Sequence, residues 1–223
     1  MSDSKTDGGG GRFIVVDGID GGGKSTQMRR IETVLSQRGR AVVRVRDPGS
    51  TPTGDRLREL LLQSDLQMDR RTEALVFMAA RSEMVQSIIQ PALRRGDDVL
   101  CDRYLLSTVV YQSIGGEVSA DELWRIGRWA AGGLDPDLTI LLDLPASVSI
   151  QRVGDQSDRM ESRGTEYLEA VRQAYIRQLP HAGGRHTTID ATASVEDVGD
   201  QVCRALEMLD GPAEQTTTVV KGG

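Results

Sequence analysis

The chain has 223 residues, of which 38% are hydrophobic and 27% are charged, a composition typical of a globular protein with a sizeable core. This composition excludes a largely disordered chain, and no apolar run approaches the roughly 18 residues that a bilayer-spanning helix needs. The formal net charge of −6 argues against nucleic acid as the main partner, because duplex binding depends on a basic face.

The two ends of the chain differ in composition from the part between them. Residues 1–11 are polar and rich in glycine, without the apolar segment of a secretory signal, and residues 211–223 are similarly poor in apolar side chains. We expect both ends to be disordered tails around a single domain, residues 12–210. Two cysteines, Cys101 and Cys203, do not make a disulfide framework, so a reducing cytoplasm is the expected compartment.

The first apolar run, residues 13–16, is followed by the stretch GIDGGGKS at residues 18–25, which has the spacing of a phosphate-binding P-loop. Glycines let the backbone turn successive N–H groups toward a phosphate at the positive end of the next helix. Lys24 is predicted to reach the β- and γ-phosphates, and the Ser25 hydroxyl to bind Mg²⁺. A glycine-rich turn without a ligand is the alternative, which the flanking strand and helix patterns disfavour. The predicted ATP-binding residues are Gly18, Ile19, Asp20, Gly21, Gly22, Gly23, Lys24, Ser25 and Thr26.

Strand and helix patterns alternate along the rest of the chain. The predicted strands are residues 13–16, 41–46, 99–101, 138–144 and 186–189. The predicted helices are residues 25–37, 53–62, 70–95 with a kink at Pro91, 107–112, 120–131, 145–153, 166–179 and 195–209. Because successive parallel strands need a crossover helix between them, this order predicts an α/β fold with a five-stranded parallel sheet.

Charged residues follow several predicted strands, at the edge of the sheet where ligands bind. Asp102 comes directly after the strand at 99–101, where a P-loop site places an acid that holds Mg²⁺ or its waters, although a helix cap would also explain it. Arginines occur beside it and in other predicted ligand segments, at Arg46, Arg81, Arg103, Arg152, Arg159 and Arg163. Arginine forks match phosphate oxygens, so this distribution predicts two anionic substrates.

Phe77 and Arg81 are four residues apart and therefore share one face of the predicted helix. They suit an aromatic platform for a nucleobase with a hydrogen-bond donor beside it. A core phenylalanine with an unrelated surface arginine is the alternative interpretation.

Several motifs, in the same order along nearly the whole of residues 12–209, resemble those of the thymidylate kinase family. They are the strand and P-loop at 13–27, RDPGST at 46–51, TEALVFMAAR at 72–81, CDRY at 101–104 with Tyr111 and Gln112 after it, PDLTILLD at 136–143 and DRME at 158–161. The resemblance implies a P-loop NTPase fold with three α/β/α layers and a short lid at about 154–164. It further implies that the chain forms a homodimer and phosphorylates dTMP to dTDP with ATP and Mg²⁺ in dTTP biosynthesis.

The resemblance also implies roles for individual side chains. Phe77 would stack on thymine and Arg81 would bond a base carbonyl, while Arg46 and Arg103 would hold the phosphate of the acceptor. Asp20 would meet the 3′-hydroxyl, and Tyr111 would crowd the 2′ position. The predicted substrate-binding residues are thus Asp20, Arg46, Phe77, Arg81, Arg103, Ser107, Tyr111 and Gln112.

The family divides by whether an additional arginine lies in the P-loop or in the lid. This P-loop contains none, so the lid is expected to supply it, from Arg152, Arg159 or Arg163. The predicted catalytic residues are therefore Lys24, Arg103, Arg152 and Arg159, and the predicted metal ligands are Ser25 and Asp102. Asp47 and Ser50 depart from the glutamate and glycine usual in the family, which predicts a differently shaped loop.

Three other functions compete with this interpretation. A GTPase switch would need an asparagine-containing guanine motif, and the chain has no asparagine. A kinase of another nucleoside monophosphate or of a deoxynucleoside is the main alternative; a nucleoside acceptor would need a carboxylate base, such as Asp20 or Asp102. A non-enzymatic ATP-binding module would not need the second set of arginines.

Overall fold

The computed structural model describes residues 10–62, 66–153, 164–210 and 218–219. The strands are β1 (Phe13–Asp17), β2 (Val42–Arg46), β3 (Asp98–Asp102), β4 (Leu138–Asp143), β5 (Arg185–Asp190) and β6 (Thr218–Val219). The α-helices are α1 (Lys24–Gln37), α2 (Pro52–Leu62), α3 (Arg70–Met84), α4 (Gln90–Arg94), α5 (Leu105–Ser113), α6 (Ala120–Ala130), α7 (Ala146–Val153), α8 (Thr165–Gln178) and α9 (Val195–Glu207). The predicted α/β fold is confirmed. Among these elements, no helix is long and apolar enough to cross a membrane.

All the strands are parallel and lie in one sheet, in the order β2-β3-β1-β4-β5-β6. The central strand β1 is buried along its whole length, as expected where helices cover both faces of a parallel sheet. Its neighbours on the two sides are β3 and β4, so the strand order reverses direction at β1. The crevice outside the carboxyl end of such a strand is where open α/β sheets bind ligands.

The sheet has one strand more than the sequence predicted. Thr218 and Val219 pair with Thr187 and Thr188 of β5 at the edge of the sheet, within the stretch predicted as a tail. A two-residue strand has no measurable periodicity, so the sequence pattern does not reveal it. The other residues of the predicted tails, 1–9, 211–217 and 220–223, lie outside the described part of the chain.

The helix predicted at residues 70–95 is present as α3, a π-helical turn at Val85–Ile89, and α4. The turn ends two residues before Pro91, which has no N–H to donate to the preceding turn of helix. At the other end, the Asp69 carboxylate caps α3 by accepting from the N–H groups of Arg71 and Thr72. The cap fixes where α3 begins and hence which of its side chains face the carboxyl ends of the strands.

Candidate active site

A cavity of about 510 Å³ lies at the carboxyl ends of β1, β2 and β3. Loops and helices from six parts of the chain contribute to its wall. The lining residues are Asp20, Gly21, Gly23, Lys24, Ser25, Thr26, Arg46, Asp47, Pro48, Arg58, Leu62, Phe77, Asp102, Arg103, Tyr104, Ser107, Thr108, Tyr111, Gln112 and Arg152. Cationic side chains and aromatic rings therefore share one space, as a ligand with both phosphate and base would require.

The loop between β1 and α1 has the backbone of a phosphate-binding loop. Gly18 has φ 131°, and a Cβ at this position would collide with the carbonyl oxygen of Leu142, so only glycine fits. Gly23 has φ 86° and precedes the first residue of α1, where the helix N-terminus presents its unpaired N–H groups. The loop therefore points backbone donors into the cavity.

The Lys24 ammonium is held inside this loop. Its Nζ donates to the carbonyl oxygens of Gly18 and Ile19 at 2.9 and 3.0 Å and to Asp20 Oδ1 at 3.0 Å. The side chain is almost completely buried, so a phosphate that approaches it meets a cation with little water around it.

Arg103 lies opposite the loop and has an unusual backbone conformation. Its φ of 66° is in the left-handed region, which a non-glycine residue adopts only where the surroundings impose it. Its guanidinium donates from Nη2 to Asp20 Oδ1 at 2.6 Å and from Nη1 to the Gly18 carbonyl at 2.9 Å. The Arg103 and Lys24 cations thus meet at the same carboxylate.

The Asp20 carboxylate is strongly ionised in this position. Burial alone would raise its pKa, but the charges of Arg103 and Lys24 and their hydrogen bonds outweigh burial and hold the pKa at about 2. At neutral pH, Asp20 is therefore an acceptor for hydrogen bonds and a very weak base.

Acid should weaken the contact between Asp20 and its two cations. The pKa of Asp20 is about 2 in the folded chain against an ordinary 3.8, so the ionised group stabilises the fold at pH values above 3.8 and loses this effect as the pH falls through 2. The variant Asp20→Asn should therefore be less stable than the unmodified chain at pH 7, and the gap should narrow at pH 3. Urea unfolding at both pH values measures the gap, and a gap independent of pH would contradict the assignment.

Asp102 and Ser25 both line the cavity and carry side-chain oxygen atoms. Asp102 Oδ1 is buried and has no hydrogen-bond partner among the described residues, while the Ser25 side chain is exposed. A carboxylate and a hydroxyl are hard oxygen donors that suit Mg²⁺. Within the described ranges, no group of three or more acidic, histidine or cysteine side chains could hold a metal. The donor set therefore fits a Mg²⁺ ion bound mainly by phosphates.

The far end of the cavity suits a planar ring with polar edges. Phe77 on α3 is half-buried and lines the wall. Gln112 on α5 is fully buried, and neither polar atom of its amide has a hydrogen-bond partner in the part of the chain that the structure describes. A buried amide with an open donor and an open acceptor is unusual and favours a ligand with complementary groups.

Comparison with known proteins agrees with this geometry. The sequence model of the thymidylate kinase family matches residues 16–202. A thymidylate kinase of Rhodopirellula baltica is 54% identical over 199 residues, which cover 89% of this chain and 81% of the relative. Thymidylate kinases of Burkholderia ambifaria and Nitrosospira multiformis are 40% and 39% identical, over 89% of this chain and 98% of each relative.

The chain belongs to the thymidylate kinase family. The resemblance noted in the sequence is therefore confirmed. In this family member, the cavity gathers most residues that the sequence predicted for the site. They are Asp20, Gly21, Gly23, Lys24, Ser25, Thr26, Arg46, Phe77, Asp102, Arg103, Ser107, Tyr111, Gln112 and Arg152.

Four of the predicted site residues do not line the cavity, and a fifth lies outside the described residues. Gly18, Ile19, Gly22 and Arg81 are not among the described residues that line the cavity. Gly18 and Ile19 instead present their carbonyl oxygens to Lys24. Arg159 and residues 154–163 of the predicted lid lie outside the described residues.

Arg81 is buried beneath the cavity, with 1% of its side chain exposed. Its Nε donates to Asp47 Oδ2 at 2.6 Å and its Nη2 to Thr108 Oγ1 at 2.7 Å. Both of these partners line the cavity, so Arg81 sets the position of two wall residues. A contact between Arg81 and a base stays a prediction.

The loop after β2 keeps a glycine-like backbone at Ser50, where the sequence departs from the family pattern. Ser50 has φ 69°, the conformation that favours the glycine usual at this position. Its Oγ accepts from the Arg46 N–H at 2.7 Å, a bond that glycine could not make. The exposed Arg46 guanidinium makes no hydrogen bond or ion pair with any described residue. It is thus available to an anion in the cavity.

Sequence reasoning missed several residues in and around the site, among them one arginine of the cavity wall and two residues behind it. Arg58 on α2 lines the cavity and donates from Nη1 to the Pro48 carbonyl at 3.0 Å. Asp17, at the end of β1, and Tyr175, on α8, contact Arg103 from below, at 3.7 Å for the Asp17 ion pair and 2.9 Å for the Tyr175 hydrogen bond. Apolar patterning offered no signal for Tyr175, which is 72 residues from Arg103.

Proposed function

We propose that the protein phosphorylates dTMP to dTDP with ATP and Mg²⁺, by direct in-line transfer of the γ-phosphoryl group, in dTTP biosynthesis. One observation carries this proposal: a single cavity joins the P-loop cation Lys24 to a second set of cations, Arg46 and Arg103, beside the Phe77 ring. A P-loop alone needs only the first cation. The second set supports an acceptor that itself carries a phosphate.

The reaction needs no catalytic base. The attacking group is a phosphate oxygen of the monophosphate, whose second pKa of about 6 leaves it largely anionic at neutral pH. The side chains must instead align this oxygen with the γ-phosphate and neutralise the charge on the moving group. Lys24 would contact the donor phosphates, and Arg46 and Arg103 would hold the acceptor. Ser25 and Asp102 would hold Mg²⁺, which would supply further positive charge to the phosphates.

Arg152 and Arg159 are proposed to complete the charge neutralisation. Arg152 lines the cavity and donates to the carbonyl oxygens of Gly21 and Ala191 at 3.2 and 3.0 Å. These bonds hold its guanidinium against the P-loop. Closure of the proposed lid at 154–164 would exclude water, which otherwise competes as the phosphoryl acceptor.

A nucleoside acceptor is less well supported. Its hydroxyl would need deprotonation, and a carboxylate whose pKa is about 2, as for Asp20, is a poor base near neutral pH. The decisive experiment measures ADP release with ATP and Mg²⁺ across a panel of nucleoside monophosphates and nucleosides. Turnover with dTMP well above all other acceptors is expected. Turnover only with thymidine or another monophosphate would overturn the assignment of the acceptor, and ATP binding without turnover would favour a binding module.

A homodimer is proposed as the active assembly, in the cytoplasm. Trp129 on α6 is 83% exposed and Leu75 on α3 is 58% exposed, and these two helices pack against each other. Large apolar side chains exposed on adjoining helices are typical of an interface. Both cysteines are free, which suits a reducing compartment.

The variant Trp129→Asp is expected to shift the protein from dimer to monomer, because it would bury a charge in the apolar contact. Analytical ultracentrifugation at several concentrations measures the shift. Val195→Asp is the control: Val195 is an exposed apolar residue too, at 58%, but it lies on α9, which packs against α1 and β5. A dimer unaffected by Trp129→Asp, or lost equally in both variants, would contradict this interface.

A further inference from the structure

A buried chain of hydrogen bonds supports the Arg103 guanidinium. Tyr175, on α8, is 1% exposed, and its Oη lies 2.9 Å from Arg103 Nη1 and 2.7 Å from Ser107 Oγ. Ser107 Oγ in turn donates to Asp17 Oδ1 at 2.7 Å. The chain connects α8 and α5 to the end of β1.

The direction of each bond follows from the number of protons available. Arg103 can only donate, so Tyr175 Oη accepts from it. Ser107 has one hydroxyl proton, which it gives to the Asp17 carboxylate, so the Tyr175 proton must go to Ser107 Oγ. Burial raises the pKa of the Tyr175 phenol well above its usual range, so that proton stays in place at neutral pH. The hydroxyl of Tyr175 is thus fully used as acceptor and donor.

The backbone conformation and the contacts of Arg103 explain why its guanidinium needs support. Its backbone is in the left-handed region, and its Nη1 and Nη2 are directed at the P-loop, toward Gly18 and Asp20. The Arg103 guanidinium also lies 5.7 Å from the centre of the Tyr111 ring, which packs edge-on against Tyr175 at 6.1 Å. Tyr175 therefore contacts both the head group of Arg103 and the ring beside it.

We propose that Tyr175 is a positioning residue, which holds the Arg103 guanidinium in the orientation that binds the phosphate of the acceptor. The inference rests on the proposed function, since it assigns Arg103 to that phosphate. Tyr175 itself does not line the cavity among the described residues, so it acts through Arg103. Because Tyr175 lies on α8, this helix contributes to the acceptor site although Tyr175 does not contact the ligand directly.

The test compares two ligands that differ only in the phosphate. Tyr175→Phe removes the hydroxyl and keeps the ring, and its affinities for dTMP and for thymidine are measured by titration calorimetry. Loss of one hydrogen bond to a charged group should weaken dTMP binding roughly tenfold. Thymidine binding should change less than about twofold, since thymidine has no phosphate for Arg103. In steady-state assays, KM for dTMP should rise while KM for ATP stays constant.

Tyr167→Phe is the matched control, because it removes a hydroxyl from the same helix at a residue outside the described cavity lining. It should leave both affinities unchanged. Equal loss of dTMP and thymidine binding in Tyr175→Phe would show general damage to the site and overturn the inference, as would unchanged dTMP binding. The unmodified protein separates the two proposals: if it turns over no dTMP, the proposed function itself fails.

Discussion

Replacing Lys24 with alanine is expected to lower kcat for dTMP phosphorylation by about a thousandfold, since a preorganised charge at the transferred phosphoryl group is worth this much in comparable sites. The Lys24 ammonium donates to the Gly18 and Ile19 carbonyls and to Asp20. All three partners belong to the P-loop, so the cation is already in place when the nucleotide arrives. ADP release at saturating ATP and dTMP measures the loss.

The matched control for this variant removes a cation at the surface. Arg44→Ala breaks an exposed ion pair with Glu32, whose atoms are 3.2 Å apart, and should leave kcat within about twofold of the unmodified protein. Thermal unfolding of both variants shows whether the fold is intact. Residual activity of Lys24→Ala above about a tenth of the original would contradict the role of this lysine in transfer.

The parts of the site that the sequence predicted are local in the chain. The P-loop was recognisable because its glycines, Lys24 and Ser25 are contiguous and follow an apolar strand. Asp102 and Arg103 are recognisable because they lie at the carboxyl end of β3, and parallel strands end at one edge of the sheet. Such signals depend only on spacing along the chain, which a sequence shows completely.

The parts that the sequence missed depend on contacts between distant segments. Phe77 and Arg81 share a helix face, yet Phe77 lines the cavity while Arg81 turns beneath it toward Asp47, 34 residues away. The contact of Tyr175 with Arg103 is likewise set by the packing of α8 on α5. Periodicity identifies which face of a helix is buried, but it does not identify the partner that a polar side chain meets there.

The strand order explains why these distant contacts converge. With β3 and β4 on its two sides, β1 places the P-loop between the loop after β3 and the helices that follow β4. Arg103 approaches Asp20 from the first side, and Arg152 approaches Gly21 from the second. Cations therefore flank the P-loop from both directions, although the segments that carry them are far apart in the chain.

Arg81→Met is expected to lower the free energy of unfolding by about 3–5 kcal/mol, because it leaves a carboxylate buried without its counter-ion. Arg81 and Asp47 have exposed side-chain fractions of 1% and 0%, and their closest atoms are 2.6 Å apart. The double variant Arg81→Met with Asp47→Asn should recover much of the loss, since it removes the charge as well. Urea unfolding followed by circular dichroism gives both values. Arg56→Met is the matched control: it removes an exposed ion pair with Glu59 and should cost no more than about 1 kcal/mol.

The loss of unfolding free energy caused by Arg81→Met should also depend on pH. The direction of this dependence follows from the pKa of Asp47. Burial raises the pKa of Asp47 above its ordinary 3.8, and the nearby Arg81 charge opposes that rise. Without Arg81 the pKa rises further, so the folded variant tolerates the protonated acid better than the carboxylate. A raised pKa in the folded state gives stability that is present at low pH and lost as the pH increases through that pKa. The deficit of Arg81→Met should therefore be smaller at pH 5 than at pH 8, and a deficit that grows on acidification would show that loss of packing, rather than an unpaired charge, destabilises the variant.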